Sequence, residues 1–365
     1  MVTNVSEMDK ELVEKKEKQT TIIEIKPTEV ATKEEFFNVL KQVAPGTALR
    51  SALDNIVDAK KGGLIVIEND LVNKILDGGF KVNTRFTPQK LLELAKMDGA
   101  IIISKDMKRI NYANVTLTPD SKIPSEETGT RHKSAERTAK MTGTLTIAVS
   151  ERKNQIHLYY KNFKYYLRDK TEILRRATET LQILEKQREL FDSYIERLNY
   201  HEIYNDLNIL QAAKVIQKGK TMQKVLESQE LTLIELGSEA IALKLRIREL
   251  MKDVEKETDL VIKDYTKLNL KKSKSLLDNL SYEELIDTDN ILLALAQTEN
   301  SVINFIKGYR ILSKTKLSEK EIIQVIDEFK NLQNIIKAKQ EDFEKIIGKE
   351  KSIVLTRDLA RIRNY

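Results

Sequence analysis

The 365-residue sequence has no cysteine, no tryptophan, three histidines, five prolines and 12 glycines. Without cysteine there is no disulfide and no thiolate zinc site, and the chain fits a reducing compartment. No apolar run approaches the ~20 residues that a membrane-spanning helix needs. The longest, Leu64-Ile-Val-Ile67 and Ala100-Ile-Ile-Ile103, are strand-sized. The N-terminal MVTNVSEMDKELVEKKEKQ alternates charges and lacks the apolar stretch of a secretory signal. We therefore expect a cytoplasmic protein without a membrane partner. A GxxxxGK motif followed by Ser or Thr is also missing, which excludes a P-loop.

The scarce residues divide the chain. All five prolines, Pro27, Pro45, Pro88, Pro119 and Pro124, precede residue 125. At average usage the remaining stretch would hold about 12. Proline breaks helix interiors, so this stretch is free to be helical. Residues 1–33 are charged, lack aromatics and show no sustained period; they read as a solvated leader that could hold a single helix.

From 34 the pattern alternates. Helices are expected over 34–43, 47–59 and 88–97, and strands over 64–68, 100–104, 111–117, 144–149 and 155–160. Such alternation indicates an α/β domain, a mixed sheet flanked by helices. From about 161 the reading turns helical. Leu174, Ala177, Leu181, Leu184, Phe191, Ile195 and Leu198 recur at spacings of three, four and seven, interrupted by Arg188, as in helices packed side by side. The last 60 residues read as short helices around Gly308 and Gly348. We place domain boundaries at 1–33, 34–165, 166–300 and 301–365.

The formal net charge is +6, of which +5 lies in residues 301–365, with 14 Lys and Arg against nine Asp and Glu. This modest basic excess suits either a solvated helical surface or a polyanion partner.

Two segments carry chemistry. In Met97-Asp98-Gly99-Ala100 an acid and a glycine sit where a helix hands over to a buried strand. In Glu127-Thr-Gly-Thr-Arg-His-Lys-Ser-Ala-Glu-Arg137, Gly129 and Thr130 precede a helix expected to run to Thr142 and stop at Gly143, with Thr130 as its N-cap. Its first turn would present free N–H groups together with Arg131, His132 and Lys133. Cations at a helix N-terminus oppose the dipole, and a bound anion such as a triphosphate would offset them. A basic surface turn is the simpler alternative. His157, on a strand, reads as structural, and His201 as a helix residue with no evident partner.

Together MDGAIIIS and TGTRHKSAER, about 30 residues apart, resemble the paired signature of the diadenylate cyclase (DAC) domain family. The flanking APGTALRSALDNI, GGLIVI, DGGFKVN, YANVTLTPDSKIPSEETG and LYYKNFKYYL extend the resemblance over about 40–165. The order of DAC domain, helical linker domain and small C-terminal domain resembles the DNA-integrity-scanning members of that family.

The resemblance implies that two DAC domains face each other, each holding one ATP, and make cyclic di-AMP with Mg²⁺ or Mn²⁺. Asp98 would hold the metal and activate the 3′-hydroxyl. Gly99, Leu117 and Ser150 would line the nucleotide pocket. Thr130, Arg131, His132, Lys133 and Ser134 would form the phosphate-binding turn, Arg131 and His132 acting in catalysis. Lys133 departs from the family's usual arginine, keeping the charge but losing bidentate geometry. A homo-octamer is implied, as is a helix-hairpin-helix C-terminal domain that binds branched DNA. There Gly308-Tyr-Arg-Ile-Leu-Ser313 is similar to the family's entry, but Ile346-Ile-Gly-Lys-Glu350 keeps one glycine of the G-x-G turn. A DNA-binding checkpoint protein with a vestigial cyclase would have lost Asp98 or the 130–134 turn, and both are present. A purely helical scaffold would leave the two N-terminal motifs unexplained.

Overall fold

The computed structural model describes residues 30–363 apart from 302 and 304. The expected leader falls almost wholly outside the described residues. The chain forms two units, residues up to Arg168 and residues from Asp169.

The first unit begins with α1 (Lys33–Gln42) and α2 (Ala48–Asp58), each started by a threonine whose hydroxyl accepts a backbone N–H: Thr32 from Glu35 and Thr47 from Arg50. There follow β1 (Gly63–Ile67), β2 (Leu76–Asp77), β3 (Phe80–Arg85), α3 (Pro88–Leu94), β4 (Ala100–Ile103), β5 (Arg109–Leu117), α4 (Thr130–Thr142), β6 (Thr146–Ser150), β7 (Gln155–Tyr160) and β8 (Phe163–Leu167). The sheet order is β2-β5-β4-β1-β6-β7-β8, with β3 also pairing β5. Among the described strands, β1 and β4 pair in parallel and the other pairs are antiparallel.

The central strands β1 and β4 are buried along their whole length, as expected where helices cover both faces. Leu64, Val66, Ala100, Ile102, Val115 and Ala148 form one core with Ala135 and Ala139 of α4. Small residues on α4 let the helix lie close to the sheet.

Two expectations change. The stretch after 161 is not uniformly helical, because Phe163–Leu167, half-buried and exposed in alternation up to the buried Leu167, forms the strand β8 beside β7. The strands β2 and β3, in and after DGGFKVN, were not expected either. Their Gly78-Gly79 turn has both residues at positive φ, +64° and +74°.

The second unit contains α5 (Lys170–Ile203), α6 (Ile209–Glu235), α7 (Ile241–Leu250), α8 (Val254–Tyr265), α9 (Leu270–Asn279), α10 (Tyr282–Ile286) and α11 (Thr288–Ala294). Leu184, Phe191 and Leu198 of α5 pack in one core with Ala212, Val215 and Ile216 of α6 and Val261 and Ile262 of α8. Leu174 departs from the expected stripe: it is exposed, and its neighbour Ile173 is buried. Arg188 interrupts the stripe for a reason. Its Nη1 donates to the carbonyls of Leu250 and Lys252 at 2.8 and 2.7 Å, capping the end of α7. His201 does have a partner, Asp206, at 3.0 Å.

The C-terminal helices are α12 (Tyr309–Ser313), α13 (Glu319–Phe329), α14 (Leu332–Lys337), α15 (Gln340–Ile347) and α16 (Lys349–Arg363). Ile306, Ile311 and Leu332 belong to the core of α5, α6 and α8, whereas Leu312, Val325, Ile335, Phe343 and Leu355 form a second, smaller core.

Candidate nucleotide site

Strand register gathers the first unit's candidate residues. Gly63 stands opposite Val149, Leu64 pairs with Ala100, and Ala100 pairs with Val115. The Gly62–Gly63 entry to β1, Gly99 before β4, Leu117 at the end of β5 and Ser150 at the end of β6 therefore share one end of the sheet. Asp98 precedes Gly99 at the same end. Its side chain is exposed and has no hydrogen-bond or ion-pair partner among the described residues. Gly99 must be glycine: its φ is +89°, and a Cβ there would lie 2.8 Å from the carbonyl carbon of Asn114.

The N-terminus of α4 reaches this end through Arg131. Its Nη1 is 3.4 Å from the Val149 carbonyl, and its guanidinium occupies the space that a Gly62 side chain would need. The helix starts one residue earlier than expected. Gly129 is the N-cap and Thr130 is already helical, so no side chain caps the first turn, and no acid lies in it. Four orphan N–H groups at a helix start favour an anion. Lys133 and Ser134 follow in the next positions, half-buried and without side-chain partners among the described residues. Ser150 Oγ accepts the N–H of Lys153 at 3.3 Å.

The His132 side chain packs on β7 beside His157, which pairs with Ala148 two residues from the Ser150–Gln155 end. His157 and Tyr159 are two residues apart on one strand and so share a face. The His132 and His157 rings meet edge to face at 4.7 Å. His132 Nδ1 is 3.0 Å from the Tyr159 hydroxyl, which donates to Glu127 Oε1 at 2.7 Å. Lys164 Nζ lies 2.5 Å from the same oxygen. His157 is therefore part of the His132 environment, not merely a strand residue.

These contacts set the charges. Burial pulls His132 below the ordinary imidazole range; Glu127 opposes this, and Arg131, Lys164 and Lys153 reinforce it. His157 is lowered by burial and by His132. Burial works to raise Glu127, but hydrogen bonds from Lys164 and Tyr159 outweigh it and hold the carboxyl below its usual range. Burial and Glu127 push the Tyr159 hydroxyl well up. Burial thus favours the uncharged form of both imidazoles and of Tyr159, and the hydrogen bonds favour the Glu127 carboxylate.

Among the described residues of the first unit, two places could hold a cation. Asp98 offers an unpaired hard oxygen, which suits Mg²⁺ or Mn²⁺ completed by phosphate oxygens and water. Glu127, His132 and His157 each bring a ligand atom within 4.8 Å of the others. That two-imidazole, one-carboxylate set favours a softer transition ion. The positive charges of Lys164, Arg131 and Lys153 oppose an ion there, so Asp98 is the better fit.

Sequence reading missed Gly62, Glu127, Tyr159 and Lys164 as site residues. The signal available was the two-residue spacing of His157 and Tyr159 on a strand, together with Glu127 at the head of the basic turn.

An α/β domain whose sheet end meets an uncapped, basic helix start offers a corner suited to an anion. Residues 50–163 match the family described as DisA bacterial checkpoint controller nucleotide-binding (DAC), and residues 167–304 match the DisA bacterial checkpoint controller linker region. The chain is 36% identical over 338 residues to a DNA integrity scanning protein DisA of Clostridium kluyveri, covering 90% of this chain and 96% of that protein. It is 40% identical over 324 residues to the DisA of Acetivibrio thermocellus, covering 86% and 90%. A solved structure of DacA from Staphylococcus aureus is 23% identical, with TM-score 0.27, covering 37% of this chain and 89% of that one. The chain belongs to the DisA family of DNA integrity scanning proteins.

Proposed function

We propose that the protein is a diadenylate cyclase that condenses two ATP into cyclic di-AMP. The observation that carries the reading is the convergence of Asp98, Gly99, Leu117, Ser150 and the uncapped start of α4 with Arg131 at one sheet end. The triphosphate lies on the free amides of α4, with Thr130, Arg131, Lys133 and Ser134 donating to it. Gly99 and the half-buried Leu117 and Ser150 line the nucleotide. Two such domains face each other. Each 3′-hydroxyl attacks the α-phosphorus of the opposite ATP, the bond to pyrophosphate breaks, and the hydroxyl proton passes to the exposed Asp98 carboxylate and on to water. Two attacks give one cyclic di-AMP and two pyrophosphates.

Asp98 would hold a divalent ion, Mg²⁺ or Mn²⁺, which would supply charge neutralisation at the phosphates. Because neither domain completes the reaction alone, self-assembly is required, with an octamer as the implied assembly. Incubation with ATP and Mn²⁺ or Mg²⁺, read by mass spectrometry, tests the reading: cyclic di-AMP supports it, and unchanged ATP removes it.

The C-terminal helices support a weaker DNA-binding role, with branched DNA lowering cyclase activity. Lys345 and Lys349 are exposed beside Gly348, whose φ is +81° and whose surroundings are open. The Gly308 turn is not available to a phosphate, since the amides of Gly308, Tyr309 and Arg310 donate to the Asp264 carboxylate at 2.9–3.0 Å. Glu350 places an acid beside the remaining turn. We therefore propose low-affinity, salt-sensitive binding of a DNA junction at 340–363. Replacing Lys345 and Lys349 by Glu should abolish it. Tight binding that survives both substitutions would move the site elsewhere.

A further inference from the structure

The cyclase reading leaves Glu127 and Tyr159 without a role. The single hydroxyl proton of Tyr159 gives them one. Its oxygen sits between Glu127 Oε1 at 2.7 Å and His132 Nδ1 at 3.0 Å. A carboxylate only accepts, so the proton goes to Glu127. The hydroxyl oxygen then faces His132 with lone pairs, and Nδ1 must carry the imidazole proton. In a neutral ring Nε2 is left with its lone pair.

We propose that Tyr159, backed by Glu127, is a positioning residue that locks His132 in the tautomer whose Nε2 is an acceptor. Lys164 fixes Glu127 from the other side, and the His157 ring confines His132 edge-on. Locked in this way, His132 cannot donate to a phosphate oxygen. Its Nε2 is then a proton acceptor. The phosphate donors are then Arg131, Lys133 and the free amides of α4. The ring's surroundings agree. Burial, Arg131 on its own helix, Lys164 on β8 and Lys153 in the β6–β7 turn all favour the neutral form, while Glu127 favours the charged one.

The catalytic sense of this lock rests on the cyclase reading, but the lock itself does not. With only three histidines in the chain, ¹⁵N-histidine-labelled full-length protein can be examined by solid-state NMR without nucleotide, the signals being assigned with His157→Gln and His201→Gln. The expected result is a proton on Nδ1 and none on Nε2 of His132. Tyr159→Phe should mix the tautomers and shift the pH profile of kcat. It should also lower kcat about tenfold or more, the worth of one hydrogen bond left unmade, with the KM for ATP unchanged. Glu127→Gln, whose amide can also donate to Tyr159, should move the same readouts less far. A proton on Nε2 in the unmodified protein, or a tautomer and pH profile unmoved by Tyr159→Phe, would overturn the proposal. An intact lock in a protein that makes no cyclic di-AMP would instead remove the cyclase reading and leave the lock standing.

Discussion

The guanidinium of Arg131 lies where a side chain on Gly62 would have to go: a Cβ at Gly62 would meet Nη1 at 2.1 Å. The clash is with the end of a flexible side chain, and Gly62 is not at positive φ. Gly62→Ala should therefore fold, with a stability change within about 1 kcal/mol, but with Arg131 displaced. ATP binding should weaken about tenfold, as for Arg131→Ala, because a charge-assisted hydrogen bond is lost. Isothermal titration with ATP on both variants checks this. Unchanged affinity in Gly62→Ala would mean that Arg131 reaches the phosphates from another position.

At Gly99 the obstacle is backbone, not side chain. A Cβ would lie 2.8–3.0 Å from Asn114 and Val115 main-chain atoms, at φ +89°. Gly99→Ala should destabilise the first unit by roughly 1–3 kcal/mol, the usual cost of holding a residue in a disfavoured conformation. Chemical denaturation measures it.

In the second unit, Arg310 and Glu202 are fully buried and paired, with Asn199 and Tyr265 completing the hydrogen bonds. Removing one partner leaves a buried charge. Arg310→Met or Glu202→Met alone should cost about 3–5 kcal/mol, while the double replacement should recover most of the loss. Urea denaturation of the three variants decides it. A double-variant loss equal to the sum of the two single losses would show that the pair is not coupled.

Glu321 is held down to about 2 by Lys351 and by the backbone and side chain of Ser318, where it completes the capping box of α13. A carboxyl lowered on folding stabilises above its ordinary value of 4.5 and loses that contribution as pH falls toward 2. Lys351→Met should thus lower the melting temperature at neutral pH, and the gap to the unmodified protein should close in acid. A gap independent of pH would place the effect of Lys351 in packing instead.

The sequence reading recovered most of the first unit because its signals are local. Buried runs such as Leu64–Ile67 and Ala100–Ile103, and the Thr47 and Gly143 boundaries, mark elements without tertiary information. It missed β2, β3 and β8, whose half-exposed residues such as Phe163 and Tyr165 become strands only through their ladder partners. The site was legible as two motifs, since Asp98-Gly99 and the 130–134 turn carry their chemistry in residue type. The network of Glu127, Tyr159 and Lys164 was not. It depends on the β7–β8 register and on the direction α4 takes from Gly129; the two-residue spacing of His157 and Tyr159 marks a shared face but not what meets it. In the C-terminal helices, Gly308–Ser313 read as the entry of a hairpin domain, and nothing local in it told that its first amides are taken by Asp264, 44 residues earlier.

The central claim is that the two N-terminal motifs together form a cyclase. The most direct measurement follows the products of full-length protein given ATP and Mn²⁺, with Asp98→Asn in parallel. The account predicts cyclic di-AMP with two pyrophosphates for each molecule formed. It also predicts loss of both products in Asp98→Asn with unaltered melting, since the exposed Asp98 carboxylate supports no other residue. Full turnover by Asp98→Asn, or ADP and phosphate as the only products of the unmodified protein, would contradict it.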